Sequence, residues 1–293
     1  MTGAWVDAWM TSWRLDPPVV VGLFGIGLVY VNATRRLKRP GAGYPHTRER
    51  CFLAGLVVIF LALDGPIDAG ASALLSVHMF QHMVLTMVAA PLIVLGAPVT
   101  LALRASSPGT RRRILAPILN SRTARIVASP LVGWSLLFVV LWATHLTSLY
   151  EAAMLNRGLH ALEHVAYLGS AILFWWPVVG LDPIPSRISH PGRILYPFLA
   201  MPPMAFLGLA IYSSGHLLYP YYASVAGATI ASALADQHLA GALMWEGGMF
   251  VVVPALALVL LDWMRRDERE AERTEERAAR AGRRREPGTS VNV

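Results

Sequence analysis

Val77-His78-Met79-Phe80-Gln81-His82-Met83 places two histidines four residues apart in a run that is otherwise largely apolar. This spacing stacks both imidazoles on one face of a helix. The surrounding run is apolar enough to lie in lipid, where an ionisable side chain is costly and seldom persists without a partner. The stretch therefore predicts a membrane helix whose histidine face has a function.

The composition of the whole chain agrees with a membrane location. Its 293 residues are 55% hydrophobic and 15% charged, with a mean hydropathy of +0.49. This balance is typical of a polytopic membrane protein and not of a water-soluble domain. The net charge of +7 does not indicate nucleic-acid binding, because the basic residues lie between hydrophobic runs. With Cys51 as the single cysteine, soft-metal chemistry would have to use His and Met.

Seven apolar segments are each close to the ~20 residues that a helix needs to cross a membrane. They lie at about 17–34, 50–64, 73–96, 127–149, 158–179, 194–218 and 237–262. We therefore predict an all-α protein with a seven-helix transmembrane domain at 17–262. Its second segment should end at Asp64-Gly65-Pro66, and prolines inside the spans predict kinks, with the clearest break at 201–204.

The parts outside these spans have patterns of their own. Residues 1–16 are interpreted as an outer interfacial segment, because Trp5, Trp9 and Trp13 recur at helical spacing. The stretch 223–235 is interpreted as an outer connection. Residues 263–293 form a charged cytoplasmic tail, predicted to be a solvated helix that frays at Pro287.

The distribution of basic residues predicts the orientation in the membrane. Of the 25 Lys and Arg residues, 23 lie after segments 1, 3 and 5 or in the tail, which leaves Arg14 and Arg157 on the other side. Cytoplasmic loops carry the excess of positive residues. We therefore expect the N-terminus outside and the C-terminus in the cytoplasm.

Seven of the nine histidines fall near the outer ends of the predicted spans, whereas His46 and His190 lie in cytoplasmic loops. The seven are His78, His82, His145, His160, His164, His216 and His238. The two His-x-x-x-His pairs are the strongest signal, because this spacing lets both rings of a pair reach one metal centre. If segments 3 and 5 face each other, four imidazoles meet.

Several other residues have two possible interpretations. Asp236 could support an imidazole beside His238 or cap its own helix. Single histidines such as His145 and His216 are more often interfacial hydrogen-bonding groups than ligands.

The carboxylates and methionines near the histidines are similarly open. Glu163 could orient ring N–H groups, and Glu246 is expected to be a buried acid that relays protons or is simply satisfied within the structure. Met79 and Met83 carry thioethers, which suit Cu(I), but methionine also fills gaps in ordinary cores.

Three groups of motifs, taken in order, resemble the multi-pass CtaG family of bacterial cytochrome c oxidase assembly factors. The motifs are His78-Met-Phe-Gln-His82 with Ala90-Pro91-Leu92 and Leu95-Gly96-Ala97-Pro98, His160-Ala-Leu-Glu-His164 with Phe174-Trp175-Trp176-Pro177, and Asp236-Gln237-His238-Leu-Ala-Gly241 with Met244-Trp245. The similarity extends over about 20–262. It does not extend to the single-span copper chaperone that shares the family's name, because the cysteine pair of that protein is absent.

The resemblance implies a bacterial plasma-membrane protein that helps to mature a haem-copper oxidase by supplying copper to its catalytic subunit. The metal-binding positions matched in this way are His78, His82, His160, His164, Asp236 and His238. We therefore expect a copper-handling protein that is not an enzyme. Neutral imidazole binds copper and can be displaced by a better-organised site, so ligand exchange can pass the ion on.

Two alternatives from other functional classes remain at this stage. A haem-binding electron carrier would use one histidine from each pair as axial ligands. A zinc-dependent intramembrane hydrolase would hold its metal on three histidines and activate water with a carboxylate.

Overall fold

The computed structural model describes residues 13, 15–37, 43–183, 188–225 and 227–285, with side chains described throughout except at 190, 262, 266, 270 and 277–285. Every regular element in these ranges is helical, which confirms the predicted all-α class. The helices are α1 Pro17–Arg36, α2 His46–Leu63, α3 Pro66–Ala71, α4 Leu75–Met83, α5 Ala90–Leu95, α6 Pro98–Ala105, α7 Pro108–Thr110, α8 Ala116–Leu119, α9 Arg122–Val127, α10 Pro130–Leu146, α11 Leu149–Leu155, α12 Arg157–Val179, α13 His190–Phe198, α14 Met201–Tyr212, α15 Tyr221–Ser224 and α16 Ile230–Arg285. Stretches of π-helix at Val84–Ala89 and Arg111–Leu115 join α4 to α5 and α7 to α8.

Six helical stretches are long and apolar enough to cross a membrane, among the residues that are described. They are Pro17–Arg36, His46–Ala71, Leu75–Ala105, Arg157–Val179, Pro191–Tyr212 and Ile230–Glu276. A seventh results if α10 and α11, which meet at 76°, together form one broken span. The chain is thus a polytopic helical membrane protein, with six to seven candidate spans where seven were predicted.

The predicted helix breaks occur close to their expected positions. Helix α2 ends at Leu63, and Pro66 is the first residue of the next helix. Proline is tolerated at this position because a backbone N–H there would have no acceptor within the helix. The break expected at 201–204 lies just before this range, because α13 ends at Phe198 and α14 begins at Met201.

The last span begins earlier than predicted. Of the expected connection 223–235, the residues from Ile230 onward already belong to α16. The side chain of Thr229 accepts a hydrogen bond from the backbone N–H of Ser232 at 3.1 Å, so it serves as an N-cap that starts the helix here. At its other end α16 continues to Arg285; Pro287, where fraying was expected, lies outside the described residues, as do Trp5 and Trp9.

The π-helical stretch Val84–Ala89 shows how a proline is accommodated inside a span. Pro91 has no N–H to donate, so the carbonyl of Thr86, five residues earlier, lacks its backbone donor. The indole Nε1 of Trp175 on α12 donates to this carbonyl at 2.9 Å. A neighbouring helix therefore satisfies the freed group, as expected for a bundle in lipid.

The core of the bundle lies where α4, the π-helical stretch Val84–Ala89 and α5 pack between α12 and α16. Helix α12 contacts α10 on one side and α5 on the other, whereas α16 contacts both α4 and α14. Large apolar side chains such as Phe24, Leu131, Phe206 and Phe250 are exposed on the outer surface, as a lipid-facing surface requires. This packing directs the histidine faces of α4 and α12 toward each other.

Candidate metal centre

The four paired histidines meet between α4 and α12. The rings of His78 and His160 lie 5.2 Å apart between centroids, and those of His82 and His164 lie 5.4 Å apart. Within the pairs, the two centroids are 4.4 Å apart on α4 and 4.3 Å apart on α12. The i, i+4 spacing on both helices therefore places all four imidazoles in one cluster, which we call the histidine cluster (His78, His82, His160 and His164).

Several ring nitrogens in this cluster have no hydrogen-bond partner among the described residues. These atoms are Nδ1 of His82, Nε2 of His160 and Nε2 of His164, and each is inaccessible to solvent. The one contact between ring nitrogens joins Nε2 of His78 and Nε2 of His82 at 3.0 Å. Buried polar atoms are normally paired, so this concentration of unpaired nitrogen atoms makes the cluster a candidate site for a cation.

Glu163 adds a carboxylate to the same place. Both of its oxygens are buried and have no partner among the described residues. One of them lies with a nitrogen of His78 and a nitrogen of His160 in a group whose atoms are all within 4.8 Å of one another. From its sequence position Glu163 was expected only to orient imidazole rings, whereas in the structure it is a candidate ligand. Its position between His160 and His164 in the sequence was the feature that could have indicated a ligand role.

Tyrosine side chains surround the histidine cluster. The Tyr222 hydroxyl lies 3.2 Å from Nδ1 of His78, 3.2 Å from the carbonyl oxygen of Ala71 and 2.8 Å from the Tyr150 hydroxyl. Tyr222 lies in the connection between spans, where burial raises the pKa of its phenol well above the ordinary value. It is therefore a neutral group that can donate its proton to the Ala71 carbonyl and accept the Nδ1–H of His78. On the opposite side, the ring centroids of Tyr167 and His82 lie 4.2 Å apart.

Asp236 and His238 each contact groups outside the histidine cluster. The carboxylate of Asp236 accepts hydrogen bonds from the hydroxyl and the backbone N–H of Ser76, at 2.5 and 3.2 Å. It therefore caps the N-terminus of α4, a helix remote from it in sequence, and not its own helix. Nε2 of His238 lies 3.1 Å from the carbonyl oxygen of Ser214. A metal-binding role for either residue stays a prediction.

The remaining histidines and acids fall into separate surroundings. His216 is exposed near Ser214, and His46 is exposed beside Glu49. His145 is buried, and its Nε2 lies 3.0 Å from the sulfur of Met79. Glu246 is exposed on α16, so the expectation that it is buried was wrong: its side of α16 faces outward beside Met83 and Phe250.

Taken together, fold and site define a polytopic helical membrane protein with a cluster of four histidines, two of them buried and two half-buried, beside one buried carboxylate. The family model described as "Cytochrome c oxidase caa3 assembly factor (Caa3_CtaG)" matches residues 28–266. The chain therefore belongs to this family, as its motifs predicted.

Among curated proteins, similar chains occur in mycobacteria. Uncharacterized proteins of Mycobacterium bovis and Mycobacterium tuberculosis are each 32% identical over 278 residues, and one of Mycobacterium leprae is 31% identical over 276 residues. Each alignment covers 92% of this chain and 42% of the relative, so the chain spans less than half the length of these relatives. No solved structure matches the chain.

Proposed function

We propose that this cytochrome c oxidase assembly factor binds copper on the histidine cluster and delivers it to the catalytic subunit of a haem-copper oxidase. It acts in the bacterial plasma membrane with its N-terminus outside and its C-terminus in the cytoplasm. It serves as a carrier of the ion, not as an enzyme.

The observation that carries the proposal is the group of unpaired donor atoms in the cluster. An unpaired buried polar group costs about 1–3 kcal/mol, and the cluster contains three such ring nitrogens, with two such carboxylate oxygens on the adjacent Glu163. One cation would satisfy several of them at once. Imidazole is a good ligand for copper.

The placement of the cluster supports delivery within the membrane. His78 lies in the first turn of α4 and His160 in the first turn of α12, so the ion would lie about one or two turns from the end of the bundle. Under the orientation predicted from basic residues, this is the outer end. A site at this depth allows ligand exchange with a partner embedded in the same membrane.

The decisive experiment compares the copper-to-haem ratio of the oxidase purified from matched strains. The strains carry the wild-type gene, a deletion, His82→Ala, His164→Ala, or His46→Ala as a control at an exposed histidine outside the cluster. We expect the deletion and both cluster variants to yield oxidase depleted of copper, while His46→Ala yields normal oxidase. The amount of each variant in the membrane fraction is measured in parallel. Normal oxidase copper in the deletion strain would overturn the proposal.

Metal analysis of the purified protein separates copper from the other candidate occupants. A set of two histidines and one glutamate also suits zinc, so copper and zinc are quantified in the same preparations. A Soret absorption band would instead indicate haem.

A further inference from the structure

A second group of metal-binding side chains lies beside the histidine cluster. Five of the 11 methionines line a cavity of ≈ 30 Å³ together with His82 and His145. We call it the methionine chamber; its methionines are Met79, Met83, Met87, Met204 and Met244. Met79, Met87 and Met244 are buried. Thioethers gathered around an imidazole form a donor set that suits Cu(I).

The hydrogen bonds of His145 show which of its ring nitrogens is available. Nδ1 lies 2.7 Å from the carbonyl oxygen of Leu141, which can only accept, so Nδ1 carries the hydrogen and donates. In the neutral ring Nε2 then has a lone pair and no hydrogen. A backbone carbonyl that holds Nδ1–H in this way is the usual partner of a metal-binding histidine, since it orients the ring and frees Nε2 for the ion.

The free nitrogen of His145 points at another acceptor. Nε2 lies 3.0 Å from the sulfur of Met79, and a thioether has no proton to give. Two lone pairs therefore face each other in a buried place. A second proton on His145 would relieve this contact only by creating an imidazolium without a carboxylate among its described hydrogen-bond and ring contacts, which are Leu141, Thr144, Tyr150, Tyr167, Tyr219 and Met79. A soft cation that both the nitrogen and the sulfur coordinate would satisfy the two lone pairs.

We propose that Met79 and His145 form a second metal site, distinct from the histidine cluster, which takes Cu(I) with further thioethers of the methionine chamber. The proposal does not require the histidine cluster to hold copper. It assigns the chamber a cuprous ion in particular, because thioether sulfur is a soft donor and attracts Zn²⁺ or Cu(II) much less.

Two adjacent glycines of α16 leave room for two methionine side chains of the chamber. A Cβ at Gly247 would overlap the terminal methyl of Met83, and a Cβ at Gly248 would lie 3.3 Å from that of Met204. Glycine inside a helix costs about 1 kcal/mol relative to alanine. The two glycines that carry this cost are at the positions where Met83 and Met204 contact the helix.

The test uses the purified full chain in detergent under anaerobic conditions, with Cu(I) as the probe. The starting protein is a double variant, His160→Ala with His164→Ala, which removes half of the histidine cluster. Met79→Leu, a substitution of similar volume that removes the sulfur, is then added to it. Met264→Leu, at an exposed methionine of α16, is the matched control. Bound copper is counted after competition with a Cu(I) chelator, and X-ray absorption reports sulfur in the first coordination shell.

We expect the histidine double variant to retain about one Cu(I) per chain, with sulfur among its ligands. Adding Met79→Leu should weaken this binding at least about tenfold, since losing even an outer partner of a metal site costs 10- to 100-fold, whereas adding Met264→Leu should not. Absence of Cu(I) from the double variant, absence of sulfur scattering, or unchanged binding in Met79→Leu would each overturn the second site. If wild type and double variant hold the same single ion, the second site stands and the proposed role of the histidine cluster fails.

Discussion

The Tyr222 hydroxyl is the hydrogen-bond partner of Nδ1 of His78. This hydroxyl can donate to the Ala71 carbonyl and accept the Nδ1–H of His78, so that Nε2 of His78, which lies 3.0 Å from Nε2 of His82, has the lone pair that a metal ion needs. We expect Tyr222→Phe to lower the copper affinity of the histidine cluster by about 10- to 100-fold, the usual effect of removing an outer partner. Competition titration of the purified protein against a copper chelator measures this change.

The neighbouring Tyr221 provides the control for that substitution. Its hydroxyl lies 3.4 Å from the carbonyl oxygen of Ser72 and has no described contact with a histidine. Tyr221→Phe should therefore leave the copper affinity within about twofold of wild type, on the same assay. Equal affinities in both variants would show that the hydroxyl of Tyr222 does not position His78.

At this scale the histidine cluster was predictable and most of its surroundings were not. The i, i+4 spacing alone places His78 with His82 and His160 with His164. The contact between Asp236 and Ser76 joins residues 160 positions apart, and no local pattern indicates it. The exposure of Glu246 was equally hidden, because an apolar helix has no polar face from which its orientation could be read.

Helix α4 depends on another helix for its N-terminal cap. Leu74, which precedes α4, makes no side-chain cap, and Asp236 on α16 supplies the acceptor instead. We expect Asp236→Ala to lower the free energy of unfolding by about 0.5–2 kcal/mol. It should also reduce copper binding, because the first turn of α4 carries His78. Thermal unfolding in detergent and copper titration measure the two effects.

Asp236→Asn distinguishes a cap from a metal ligand. Asparagine caps helices as well as aspartate does, so this variant should keep both stability and copper if Asp236 acts as the cap of α4. Asparagine is a poor substitute for a carboxylate ligand. Normal stability with lost copper in Asp236→Asn would therefore support the metal-binding role predicted from sequence.

Helices α14 and α16 cross with their backbones in contact at two glycines. A Cβ at Gly208 would lie 2.6 Å from the backbone nitrogen of Trp245, and a Cβ at Gly241 would overlap the backbone of Tyr212. Small residues permit such close approach in membranes. We expect Gly208→Ala or Gly241→Ala to destabilise the protein by about 1–3 kcal/mol, because neither backbone can give way.

Gly25 in α1 serves as the reference for this pair, since nothing lies within 4 Å of a Cβ at that position. Gly25→Ala should leave the unfolding temperature unchanged or slightly raise it, because alanine favours the helix. If all three variants unfold at the temperature of the wild type, then α14 and α16 can move apart without loss of stability.

The existence of the helices was predictable, but their ends were less so. Hydrophobic length and Pro66 placed the early spans within a few residues. The start of α16 was placed too late, because Ala, Ser and Thr in 228–235 are typical of a connection, and only the cap by Thr229 shows that the helix has begun. The bend of 76° between α10 and α11 was likewise not predictable, because no proline lies at this position in the sequence.

On the scale of the whole molecule, one end of the bundle is closed by the connection between α14 and α16. The Tyr219 hydroxyl donates to the carbonyl of His145 at 3.2 Å, and Gln237 accepts from the backbone N–H of Leu218 at 2.7 Å. Together with the contact of Tyr222 to His78, these bonds place the connection 213–225 over the histidine cluster. A copper ion would therefore enter or leave on the side of the membrane that this connection faces.

The side that the connection faces can be determined by labelling single cysteines. In a Cys51→Ser background, Gly215→Cys marks the connection 213–225, and Gly109→Cys marks the region after α6 at the other end of the bundle; a Cβ has no close neighbour at 215 and lies 3.8 Å from the Ser107 hydroxyl at 109. Because positive residues favour the cytoplasm, we expect a membrane-impermeant maleimide to label position 215 in spheroplasts and position 109 only after lysis. The Cys51→Ser parent controls for background labelling. The reverse pattern would place the histidine cluster at the cytoplasmic side and would contradict the orientation predicted from the basic residues.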